Sequence, residues 1–171
     1  MDFQFVHFNP KAVNRFDPHA IEVSNQCFDF WRTFWSDMYR KAGSEAAFKQ
    51  DDFYRQDLIG AILKDGKVVS IWMHSFFNVR CLTSLNHSYF KFYDEAFLKW
   101  LKTHDIEDVM SLEFFTAGVE VQGQAFGVSI GRVMAWIAQE FLKHSHAQAL
   151  IASARSDVGA THLAYEIGYE C

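Results

Sequence analysis

The stretch from Val109 to His146 constrains the fold more than any other part of the chain, because three local signals follow one another there without a break. VMSLEFFTAGV reads as a buried strand, EVQGQAFGVS as a glycine-bearing turn and IGRVMAWIAQEFLKH as an amphipathic helix. In that order, the unpaired N–H groups of the first helical turn point at whatever lies before the loop. The stretch is a candidate anion cradle.

The flanking segments predict what surrounds it. Phe3 to Phe8 alternates apolar and polar residues and stops at Asn9-Pro10, as a half-buried strand does. Ile21, Ser24, Phe28, Trp31, Trp35 and Met38 recur at helical spacing, which predicts a helix from about His19 to Arg40. Leu58–Leu63 and Val68–Phe77 flank the turn signal Lys64-Asp65-Gly66-Lys67 and predict an antiparallel hairpin. Tyr89 to Lys102 reads as one aromatic helix, with Phe90, Tyr93, Phe97 and Leu101 in a stripe, and Ala149 to Ala154 as a strand. Hairpins alternating with helical crossovers imply an α/β fold, with a mixed, largely antiparallel twisted sheet flanked by helices. With only two prolines and no repeat, residues 1–171 are expected to form a single domain.

A formal charge of -5, with the 16 basic residues scattered, argues against nucleic acid or anionic lipid as partner. No run reaches membrane-spanning length and the start has no signal-peptide pattern, so a cytoplasmic protein is expected, with no membrane association. Cys27, Cys81 and Cys171 have no paired spacing, and no metal site is expected. Eighteen Phe, six Tyr and five Trp imply either a large aromatic core or an apolar cleft.

Gln124-Ala125-Phe126-Gly127-Val128-Ser129 before Ile130-Gly131-Arg132 resembles the pyrophosphate-binding loop of the GCN5-related N-acetyltransferase superfamily. That pattern is Gln or Arg, two residues, Gly, one residue, then Gly or Ala; Ser129 stands at the last position. The tail is similar as well: a short helix to Ile167 closed by Gly168-Tyr169 looks like the family's last helix. The resemblance implies an acyltransferase that moves an acetyl or longer acyl group from coenzyme A to a small-molecule or peptide primary amine. It implies backbone groups of Gln124, Ala125, Phe126, Gly127, Val128 and Ser129, assisted by Arg132, on the pyrophosphate. Val119 and Val121 would meet the pantetheine, opposite a lip at Leu150–Ala152.

Two departures qualify it. The family tyrosine that protonates the leaving thiolate stands four residues before the terminal glycine, where this chain has Ala164; Tyr165, the candidate for that role here, stands three before, turned about 100° around the helix. The family also continues through two further strands, so the C-terminal strands are expected to be short or missing, and exposed edges would allow a homodimer. For the amine's proton, Glu113 in mid-strand is the first candidate base and His74 the second. Phe53, Tyr54 and Arg55 are candidates to line a substrate cleft. The competing reading is a non-catalytic acyl-CoA-binding or interaction module that retains the fold.

Overall fold

The computed structural model describes residues 2–122, 127–154 and 159–170. The chain packs as two compact units, one formed by Met1–His74 with Phe114–Ile130, the other by Ser75–Glu113 with Gly131–Cys171.

In the first unit, β1 (Phe3–Phe8) runs antiparallel to β2 (Leu58–Lys64), and β2 antiparallel to β3 (Lys67–His74). Asp65 and Gly66 both take positive φ (48° and 78°), the conformation that lets a two-residue hairpin follow the strands' twist. Beyond β3 lies the end of β5 (Asp108–Ala117), and the Gly118 N–H donates to the Val69 carbonyl at 2.8 Å. Helix α1 (Pro18–Lys41) starts where the sequence predicts, because the Asp17 carboxylate accepts from the His19 and Ala20 N–H groups and Pro18 needs no donor. Val23, Cys27 and Trp31, one turn apart, are its buried stripe and join Ile59, Ala61, Ile71 and Met73 in the core. Burial pushes the Cys27 thiol up to about 12, which makes it a packing residue rather than a nucleophile.

On the other sheet face, the Trp72 indole lies over Gly60, where a Cβ would stand 2.5 Å from the ring, and Phe5 stacks on Trp72 at 5.8 Å. Phe53 corrects the expectation of a cleft residue. It sits on the short helix α2 (Asp51–Arg55), buried against Phe28 and Trp31 at ring distances of 5.2 and 5.5 Å. Tyr54 is exposed and Arg55 pairs with Asp52 at 3.3 Å.

In the second unit, β5 is central: β4 (Phe76–Asn78) pairs with it antiparallel and β6 (Ala149–Ala152) parallel. The run expected as one strand from Val68 to Phe77 breaks at Ser75, whose N–H donates to the Ser111 hydroxyl (2.8 Å) and whose carbonyl accepts from the Ser111 N–H (2.9 Å). A short helix, α3 (Leu82–Leu85), follows β4. The aromatic segment is likewise divided, into a 3-10 turn at Ser88–Phe92 and α4 (Glu95–Thr103). Asp94 restarts the helix, its carboxylate accepting from the Phe97 N–H at 2.8 Å. Helix α5 (Ile130–His144) buries Met134, Ala135 and Ala138, and α6 (Ala160–Glu166) closes with Gly168 at φ 91°. Phe77, Val79, Tyr89, Phe90, Leu101, Val109 and Ile151 form this unit's core.

Candidate functional site

The parallel ladder between β5 and β6 covers only Val109–Leu112 against Ala149–Ala152, although β5 runs on to Ala117. The ladder ends at Leu112 because β6 ends at Ala152, and the next residue of β5 is Glu113. Phe114, with φ 51°, interrupts the regular pleat there, so the side-chain alternation expected from Glu113 through Phe115 to Ala117 is not continuous.

Polar groups gather near the end of this ladder. Tyr89 donates its hydroxyl to the Ile151 carbonyl (2.9 Å), and Tyr93 donates to the Tyr89 oxygen (2.9 Å). Ser111 donates to Glu113 Oε1 at 2.6 Å. Burial, then Tyr93 and the Glu113 carboxylate, hold Tyr89 far above the usual phenol range. Burial also pushes Tyr93 up to about 12; the Tyr89 hydrogen bond opposes this and the Glu113 carboxylate adds to it. The site therefore sets a carboxylate beside two protonated phenols, a combination suited to moving protons between an attacking and a departing group. Tyr93 also borders a cavity of about 310 Å³ with Phe97, Trp100, Leu142 and the whole of β6. Tyr93, Phe97, Trp100 and His104 stack in sequence along its aromatic wall at 4.8, 6.4 and 4.2 Å.

Among the described residues, Glu113 is the catalytic candidate from the sequence that lies in this cluster, and Ile151 of the expected lip joins it through its carbonyl. His74, at the end of β3 in the first unit, is 0% exposed and so does not open into a cleft. Tyr165 is 53% exposed on α6 and takes no part in the hydrogen bonds of the two phenols. Val119 and Val121 stand in a 3-10 turn rather than on an extended strand. The Val121 N–H donates to the Gly118 carbonyl at 3.0 Å. Gln124, Ala125 and Phe126 lie outside the described residues.

Gly127 has φ 71° and is followed by exposed Val128 and by Ser129, directly before α5 begins. Arg132, expected to assist on the pyrophosphate, pairs with Glu166 at 2.9 Å. Tyr89 and Tyr93 escaped sequence reasoning because their spacing reads as an apolar helix stripe; the available signal was Asp94, a helix start inside that stripe. Among the described residues, no group of three or more His, Cys, Asp or Glu is placed to hold a metal ion, and no helix is long and apolar enough to cross a membrane.

No protein-family model and no curated protein sequence matches this chain. Solved structures do. A predicted acetyltransferase with acetyl-CoA from Clostridium acetobutylicum superposes with a TM-score of 0.58 at 7% identity, over 99% of this chain and 91% of its own. An acyl-CoA N-acyltransferase from Pseudomonas aeruginosa gives 0.58 at 8% identity, over 96% and 88%. An aminoglycoside acetyltransferase from an uncultured soil metagenomic sample gives 0.57 at 11%, over 100% and 93%. The fold is that of the GCN5-related N-acetyltransferases, with a mixed sheet flanked by helices. At these identities, the likeness defines architecture.

Proposed function

We propose that this protein transfers an acyl group from coenzyme A to a primary amine by direct attack, without a covalent acyl-enzyme. The observation that carries the reading is the end of the parallel β5–β6 ladder at Leu112 and Ala152, with Glu113 as the first side chain of β5 beyond it. There the Glu113 carboxylate takes the proton that the amine nitrogen sheds, and Ser111 fixes its rotamer through the 2.6 Å hydrogen bond. The buried Cys27 thiol lacks the lowered pKa that a covalent route would need.

The donor's pyrophosphate is assigned to the loop before α5. The N-terminal dipole of that helix and the positive φ of Gly127 favour an anion approaching the backbone closely. Gln124 to Phe126 complete that assignment by motif, and Arg132 would reach it only by leaving Glu166. The acceptor is a small-molecule or peptide amine, and the aromatic wall beside β6 suits an apolar group on the acceptor or on a longer acyl chain. The exposure of Tyr165 favours a second reading, a coenzyme-binding module without chemistry.

Thiol release from acetyl-, octanoyl- and palmitoyl-CoA, measured against a panel of primary amines, separates the two readings. Transfer should be seen, and Glu113→Gln should slow it by roughly 10²–10⁴-fold. Coenzyme A binding by calorimetry with no thiol release from any pair would establish the module; no binding would defeat both.

A further inference from the structure

Acyl transfer leaves the departing thiolate in need of a proton, and Tyr165 is more than half exposed on α6. Tyr93 occupies a better position. Its hydroxyl joins a two-step chain, Tyr93 to Tyr89 and Tyr89 to the Ile151 carbonyl, each step 2.9 Å. That chain ends one residue before Ala152, the last residue of β6 paired with β5. Tyr93 also borders the cavity that Leu150, Ile151 and Ala152 line, whereas Tyr89 is buried behind it.

Resting on the acyltransferase reading, we propose that Tyr93 is the proton donor to the leaving thiolate, with Tyr89 as the positioning residue that holds its phenol near the end of the β5–β6 ladder.

The step balances as follows. The amine lone pair forms the C–N bond, and the proton lost by nitrogen goes to Glu113. The C–S bond breaks with its electron pair on sulfur, which takes the phenolic proton of Tyr93. Glu113 then gives its proton to solvent, from which the Tyr93 oxygen is reprotonated. Amide and thiol leave, and both side chains are restored.

Two features favour this path. A thiolate is a charged acceptor and draws the Tyr93 hydroxyl away from the neutral Tyr89 oxygen, since charge-assisted hydrogen bonds are the stronger kind. The Glu113 carboxylate also opposes ionisation of Tyr93, and that opposition disappears once Glu113 has been protonated by the amine.

In steady-state thiol-release assays, Tyr93→Phe should lower kcat by roughly 10²–10⁴-fold with an unchanged KM for acetyl-CoA, while Tyr165→Phe stays within about twofold of wild type. Calorimetry at pH 9 with coenzyme A and desulfo-coenzyme A supplies a readout that needs no turnover. Wild type should prefer the thiol-bearing ligand by roughly tenfold, and Tyr93→Phe should lose the preference. Equal affinities for the two ligands in wild type, or a Tyr93→Phe enzyme with wild-type kcat, overturn the proposal and leave acyl transfer standing. A wild type that binds neither ligand overturns both.

Discussion

Replacing Phe114 should invert the usual ranking of alanine over glycine in a strand. Its φ of 51° lies in the left-handed region, where an L-residue other than glycine is strained by about 1–2 kcal/mol. Its ring holds it there by edge-on contacts with Trp31 (5.4 Å, 90°) and Trp35 (5.1 Å, 82°). Phe114→Ala removes those contacts but keeps the strain, and since the ring is only partly buried the loss should fall near the lower end of the Phe→Ala range, about 3 kcal/mol. Phe114→Gly loses the same ring and sheds the strain, at a backbone-entropy cost of about 0.5–1 kcal/mol. Glycine should therefore exceed alanine by about 0.5–1 kcal/mol at this position. Leu112, in regular strand on the same β5, should show the reverse difference of similar size. With a urea m-value of about 2 kcal/mol/M, each difference moves the unfolding midpoint by about 0.3–0.5 M, well within measurement. A Phe114→Ala protein as stable as Phe114→Gly, or more so, would show that residue 114 does not carry the strain assigned to it.

Gly60→Ala should destabilise by about 1–3 kcal/mol in urea unfolding, because its methyl would stand 2.5 Å from a fully buried indole that cannot move aside freely. Alkaline stability should decline through Cys27. Its thiol is raised from 9.0 to about 12, so the unfolded chain gives up that proton first and the folded state loses about 1.4 kcal/mol per pH unit between those values. That stabilisation is complete below pH 9 and gone above pH 12; urea titrations from pH 8 to 11 should show a shallower decline in Cys27→Ala. Gly127→Ala should cost about 1–2 kcal/mol from its positive φ alone, since its Cβ would meet nothing within 4 Å, and Gly127→Asn should recover part of the loss. Coenzyme A calorimetry on the two variants should rank them in the same order.

The parts of the fold legible in the sequence are those specified by neighbouring residues. Asp17-Pro18 with the Val23–Cys27–Trp31 stripe determines α1 locally, and Asp65-Gly66 can satisfy few turns other than a tight hairpin. The misread parts depend on distant partners. The spacing from Val68 to Phe77 carries no sign of a break at Ser75, because the break is fixed by Ser111, 36 residues away. Tyr89, Tyr93, Phe97 and Leu101 keep perfect helical spacing across a real interruption, since a 3-10 turn followed by a capped helix can bury the same residues. Within the site, Glu113 stood out as an acid in an apolar strand. The phenols did not, because their role comes from the Ile151 carbonyl, 62 residues from Tyr89 in sequence.

The interleaving of the two units carries a consequence for biosynthesis. The first unit owns residues up to His74 and then nothing until Phe114, so its hairpin sheet and α1 leave the ribosome long before Phe114 can seat against Trp31 and Trp35. At about 5–20 residues per second, the wait for that segment lasts several seconds. Through it the nascent chain holds an aromatic cluster lacking one of its rings. For the same reason, no single cut of the gene into two consecutive pieces would place one unit on each piece.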